Sequence, residues 1–267
     1  MTSPTPVLYE QDDQIVTVTL NRPEVMNNFG GGLFRALGEA ADRFEADESA
    51  RVMILTGRGK AFCAGADLKA IEANLRGESA PLAATGGRRD LFANPKFTRR
   101  TATYKPMIGA INGYCFAGGL ELALTCHFLI GAESSEYGVL NRRWAVPLVD
   151  GGTYRLPLWV GLGNALYLIQ TGARIDAHEA HRMGLIQELV PDDRLMERAR
   201  ELAEVMVAVP QSGLNGDTQS VLRGLGRSYE DALAVEAAIG ASTEMSAEAL
   251  GRFASGSYDA RTGSAVD

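Results

Sequence analysis

The chain is short of the residues that most often announce a chemistry. Its three cysteines, Cys63, Cys115 and Cys126, form no C-x-x-C pair and no even-numbered framework. That argues against a disulfide-stapled fold and fits reduced thiols in a cytoplasmic protein. Histidine is as scarce, at three residues, and two of these stand in "HEAH" at 178–181. The spacing is i, i+3 with Glu179 on another face, not H-E-x-x-H, so a solvated helix face is the better reading and no metal is expected. No histidine lies near Cys63 in the sequence, which favours a buried inert thiol over a nucleophile. The glycines at 30–32 are followed by no Lys-Ser/Thr, so they are not a phosphate-binding loop. Positive charge is in deficit, 26 Lys and Arg against 33 Asp and Glu. A net charge of −7 speaks against a broad nucleic-acid surface, though not against a local basic patch. No apolar run approaches the ~20 residues of a membrane span. The opening "MTSPTPVLYEQDDQIV" has no basic region followed by an apolar stretch, so no secretory signal is expected.

What is present is an ordinary globular composition, 46% hydrophobic over 267 residues, enough for one large domain or a domain with an appendage. "QIVTVTLNRP" alternates and is β-branched, a strand ended by Pro23. Leu33, Leu37, Ala40, Ala41 and Phe44 recur at helical spacing. "RVMILTGRG", "KPMIGAINGYC" and "HFLIGAES" read as strands, with helix starts at "GADLKAIEANL" and "GGLELALTC". Strands and helices thus alternate between about 50 and 140, the pattern of parallel α/β layers. Later, "NALYLIQTG" and "DAHEAHRMG" read as helices ending at glycine, "IQELV" as a short strand, and everything from "DDRLMERARELAEVMVAVP" onward as helix. The chain therefore divides into an α/β core, 1–195, and a helical region, 196–267. "RGESAPLAATGGRRD" reads as a mobile surface loop, and the final "GSYDARTGSAVD" as a frayed end.

One residue is out of keeping with its surroundings. In "FAGGLELALTCHFLIGA", Glu121 stands among small and apolar residues. A buried carboxylate is costly unless it is paired or its raised proton affinity is used. Glu121 also sits in one of two stretches of like layout, "ILTGRGKAFCAGADL" and "IGAINGYCFAGGLEL", each a short strand, a glycine turn and a helix start. Two such turns could aim one unpaired N–H each at a single oxygen, an oxyanion hole. They could equally be tight turns with no ligand.

"KAFCAGADL" and "INGYCFAGGLELALTC", in this order and spacing, resemble the crotonase family, the enoyl-CoA hydratase/isomerase superfamily. "LNRPEVMNNF" and "DGGTYRLPLWVGLGNALYLIQTGARIDAHEAHRMGLIQELVP" extend the likeness over roughly 7 to 215. The resemblance implies an α/β fold, a crotonase-like spiral of ββα units with a helical C-terminal trimerisation region. It implies a homotrimer or dimer of trimers acting on an acyl-CoA thioester, with coenzyme A as part of the substrate and no further cofactor, nucleic acid or membrane partner. The family's two oxyanion donors fall on the amides of Ala64 and Gly118, its thioester-turn contacts on Gly65, Ala66 and Asp67, and coenzyme A contacts near Val25, Met26 and Asn28. Glu121 matches the first of the hydratases' two acids. It lies three residues past Gly118 on the first turn of the same helix, where the dipole favours developing negative charge.

The chain departs from that pattern at the second acid. Twenty residues after Glu121 stands Asn141, an amide that can hold water but cannot exchange a proton as a carboxylate does. Asp150 in "PLVDGGT" is a candidate replacement, with an N-cap or Asx turn as the equal alternative. Arg142 and Arg143 could meet an anionic group but read more readily as surface or interface charge. Trp144 is a candidate acyl-pocket residue, with a core or interface place as the alternative. Acyl selectivity is expected from the loop between about Leu75 and Asn94. The expected activity is hydration of a 2-enoyl-CoA. The alternatives are an isomerase or other crotonase-fold lyase or hydrolase, a non-catalytic acyl-CoA-binding protein, and a structural subunit of a larger assembly.

Overall fold

The structure is a computed structural model, and it describes residues 5–78, 97–99 and 103–257. Most of the loop expected to select the acyl group, and most of the expected frayed end, lie outside those residues.

Strands β1 (Val7–Asp12) and β2 (Ile15–Leu20) form an antiparallel hairpin. Helix α1 (Leu33–Ala46) follows, burying the Leu33, Leu37, Ala40, Ala41 and Phe44 face that the periodicity marked. The chain then makes repeated turns through two sheets. β3 (Val52–Gly57), β5 (Met107–Ile111) and β7 (Phe128–Ala132) join one sheet. β4 (Ala61–Cys63), β6 (Tyr114–Phe116) and β8 (Glu136–Gly138) join the other. Helices α2 (Leu68–Leu75) and α3 (Gly118–Ala123) close the first two turns. α4 (Gly152–Thr171), β9 (Arg174–Asp176), α5 (Ala177–Arg182) and β10 (Glu188–Val190) complete the core. The six-stranded sheet runs β1-β2-β3-β5-β7-β10, and the four-stranded one β4-β6-β8-β9. β3 and β5 are buried at every position, as central parallel strands covered on both faces must be.

Four helices follow: α6 (Leu195–Ala208), α7 (Gln211–Gly224), α8 (Tyr229–Ser242) and α9 (Ala247–Ser255). The sequence division at 195 falls where α6 begins. Yet α6 packs Leu195, Ala199 and Ala203 onto Val52, Ile54, Ile108 and Ile130, so it is a layer of the core. α4 also differs from expectation. It starts at Gly152, although Pro157 and the later Gly161 and Gly163 mask its start in the sequence, and Gly161 breaks it into two helical stretches (φ 76°, ψ 160°).

The site is prepared by the smaller sheet. β4, β6 and β8 are parallel, with Cys63 opposite Cys115 and Phe116 opposite Gly138. Their carboxyl ends therefore lie side by side, and they lead to Ala64–Ala66, to Gly118, and to the 3-10 turn Leu140–Trp144 that carries Asn141.

Candidate active site

The turn after β4 is fixed by the loop from Arg22 to Gly30. Phe29 N–H donates to the Gly65 carbonyl (2.8 Å), and Ala64 N–H donates to the Met26 carbonyl (2.9 Å). Asn27, fully buried, anchors that loop: its Nδ2 donates to the Ala61 carbonyl (2.8 Å) and its Oδ1 accepts from Arg22 N–H (2.8 Å). Met26 is thereby held against the turn, with Val25 beside it. Asn28 is held with them, its Oδ1 accepting from Arg22 Nη1 (2.8 Å).

These contacts correct the expected donor. The Ala64 amide is already committed to Met26 and is not available to a ligand. Two residues on, the Ala66 N–H has no acceptor among the described residues. Gly65 makes the difference: at φ +87° it reverses the chain, so the amide that follows it faces away from the Met26 contact. Asp67 then caps α2, its Oδ1 accepting from Lys69 and Ala70 N–H (3.1 Å each). That is a structural use of a residue expected to contact the thioester.

The opposing turn brings Gly118. Ala117 is held at φ 52°, ψ −121°, a strained backbone for a residue with a side chain, and its N–H donates to the Gly138 carbonyl (2.8 Å). The chain thereby swings from β6 straight into α3, whose first amides have no helical acceptor. A methyl group placed on Gly65 would lie 2.8 Å from the Gly118 nitrogen, so the two turns are in close contact.

Glu121 sits on the first turn of α3, 3% exposed. Its Oε1 accepts from the Asp150 and Gly152 amides, 2.8 Å each. Gly152 must be glycine for this: a methyl there would lie 2.7 Å from Glu121 Cγ. Burial pushes the carboxyl up to about 7, partly opposed by those amides and reinforced by the Asp150 charge. Asp150 is itself 5% exposed. It is not the N-cap of α4; Gly151 is, with no side-chain cap. The Asp150 carboxylate accepts instead from Thr98 Oγ1 (3.0 Å). Thr98 and Arg155, which bridges to it, escaped the sequence reading.

Asn141 is buried at the carboxyl end of β8. Its Nδ2 donates to the Val146 carbonyl (2.7 Å), and its Oδ1 has no partner among the described residues. Trp144 is 65% exposed, so it is not a core residue. Cys63 is fully buried and pushed up to about 12, an inert thiol. His178 and His181 are exposed on α5, and no group of three potential metal ligands occurs among the described residues. A cavity of about 1150 Å³ among the described residues is not this site. It lies between α4 and α7, and neither Glu121, Asp150, Ala66 nor Gly118 lines it.

A two-sheet spiral with two glycine-containing turns and a buried acid at one sheet edge is the crotonase architecture. The comparisons agree. The sequence model of the enoyl-CoA hydratase/isomerase family matches residues 10–254, and the chain belongs to that family. It is 32% identical over 232 residues to a short-chain-enoyl-CoA hydratase of Clostridium acetobutylicum, covering 86% of each chain. It is 32% identical over 215 residues to a 1,2-epoxyphenylacetyl-CoA isomerase of Escherichia coli, covering 80% of this chain and 81% of that one. The crystal structure of an enoyl-CoA hydratase from Bacillus anthracis superposes with a TM-score of 0.83 at 31% identity, over 94% of this chain and 97% of the other.

Proposed function

We propose that the protein is an enoyl-CoA hydratase, adding water reversibly across the C2–C3 double bond of a 2-enoyl-CoA. The observation that carries this reading is Glu121: a buried carboxyl with proton affinity near neutrality, three residues beyond the Gly118 amide. The thioester oxygen is bound by the Ala66 and Gly118 amides. Ionised Glu121 takes a proton from water as the water oxygen bonds to C3. The C2–C3 π electrons move toward the thioester, and the charge gathers on the oxygen between the two amides. Protonation at C2 by Glu121 then gives the 3-hydroxyacyl-CoA. Every atom comes from water and substrate, and coenzyme A enters only as part of the substrate. The unpartnered Oδ1 of Asn141 suits it to accept a hydrogen bond from the water, and Asp150, whose own N–H donates to Glu121 Oε1, is the second acid that helps position that water.

An isomerase reading has its own support, because Asn141 removes one of the hydratase acids while Asp150 is buried beside the other. A panel of 2-enoyl-CoA chain lengths in 18O-water separates the two. Label at C3 is the expected result. No hydration at any length, with deuterium entering the acyl chain in D2O, would replace hydratase by isomerase.

No helix among the described residues is long and apolar enough to cross a membrane. The assembly we propose is a homotrimer or dimer of trimers, in the cytoplasm. α4 is largely apolar and leaves Tyr154, Leu158, Leu162, Leu166 and Tyr167 exposed on its two helical stretches, more than isolated surface residues account for. Leu158→Glu with Leu162→Glu is expected to reduce the assembly to monomers in sedimentation velocity without loss of helical circular dichroism.

A further inference from the structure

We propose that Thr98 and Arg155 are positioning residues that hold the Asp150 carboxylate in its working orientation and tie it to Glu121. The inference rests on the reading that Asp150 takes part in the reaction. Thr98 is fully buried in the 3-10 turn Phe97–Arg99. Its hydroxyl donates to Asp150 Oδ1 (3.0 Å), while its carbonyl accepts from Arg155 Nη2 (2.9 Å). Arg155 Nη1 closes the ring on the Asp150 carbonyl (3.1 Å). Asp150 is thus gripped at its side chain by Thr98 and at its carbonyl by Arg155, and its own N–H holds Glu121 Oε1.

Two features separate this arrangement from an ordinary turn. An Asp that only shaped the start of α4 would cap it, whereas the cap position is Gly151 and carries no side-chain bond. The guanidinium is also part-buried against two neutral carbonyls, with the Glu121 and Asp150 charges nearby, and burial lowers its proton affinity. A part-buried cation that binds two segments brought together from 57 residues apart keeps a particular geometry, and the geometry kept here is that of the two acids.

The test is a double-mutant cycle. Thr98→Val keeps the shape and removes the hydroxyl, and Thr98→Ser restores it. Each is made in the wild-type and Asp150→Asn backgrounds, and kcat and KM are measured on the best 2-enoyl-CoA. Thr98→Val is expected to lower kcat about tenfold with KM within about twofold, and to have no further effect once Asp150 is Asn. Thr98→Ser is expected to stay within about threefold of wild type. An equal loss from Thr98→Val in both backgrounds, or a Ser variant as slow as the Val variant, overturns the inference and leaves the Asp150 reading standing. Full turnover by Asp150→Asn alone overturns both. If Thr98→Val does not fold, Arg155→Lys takes its place in the cycle under the same criteria.

Discussion

Glu121→Gln is expected to lower kcat for hydration by about 10²–10⁴-fold while making the protein more stable above neutral pH. The two effects have one cause. Burial pushes the Glu121 carboxyl up to about 7, whereas in the unfolded chain it ionises in the ordinary carboxylate range. As pH rises from that range toward 7, the unfolded state gives up its proton and the folded state keeps it, so stability is lost over that window. Above 7 the loss is complete and amounts to about 3 kcal/mol. Glutamine has no proton to lose, and its carbonyl oxygen can still accept from the Asp150 and Gly152 amides that hold Glu121 Oε1. Urea unfolding at pH 8 should therefore favour the Gln variant by a few kcal/mol, with the gap closing as pH falls toward 4. In the wild-type enzyme kcat/KM for hydration should rise through about 7, because the base form of Glu121 takes the proton from water. The remaining activity of the Gln variant should lack that step. A Gln variant that is both less stable at pH 8 and unchanged in its pH profile would mean that Glu121 is a structural acid.

Glu121 was legible in the sequence because it breaks a rule: a carboxylate in an apolar run needs a reason. Parallel α/β layers were legible in the alternation of short apolar strands and helix starts between about 50 and 140, whereas the spiral followed only from the family resemblance. The expected donor at Ala64 proved to be committed to Met26, because a sequence gives the order of amides and not their direction. That direction is set by Gly65 at φ +87° and by the Met26 carbonyl, 38 residues earlier in the chain. Thr98 and Arg155 could not be found at all. Each is unremarkable where it stands, and their meaning comes only from bonds to Asp150 made across 52 and 5 residues. The core reading of Trp144 failed because a large aromatic is usually buried, and this one lies on an exposed turn.

Gly65→Ala is expected to reduce kcat/KM by about 10²–10³-fold, the loss associated with one oxyanion donor. The added methyl would stand 2.8 Å from the Gly118 nitrogen, 2.9 Å from the Phe116 oxygen and 3.2 Å from the Ala117 Cβ. The first two are backbone atoms and cannot rotate aside. The turn carrying Ala66 must move away from Gly118, and the two amides then no longer meet at one oxygen. Charge on that oxygen is greatest in the transition state, so the loss should fall mainly on kcat, with KM changed little. Strain at positive φ also lowers stability, and Gly77→Ala isolates that contribution: φ there is +72° and nothing lies within 4 Å of the added methyl. The control should lose about 1 kcal/mol in unfolding and keep its turnover. If Gly65→Ala merely matches the Gly77 control, closing the gap between the turns leaves the reaction untouched, and the thioester oxygen is stabilised somewhere other than between Ala66 and Gly118.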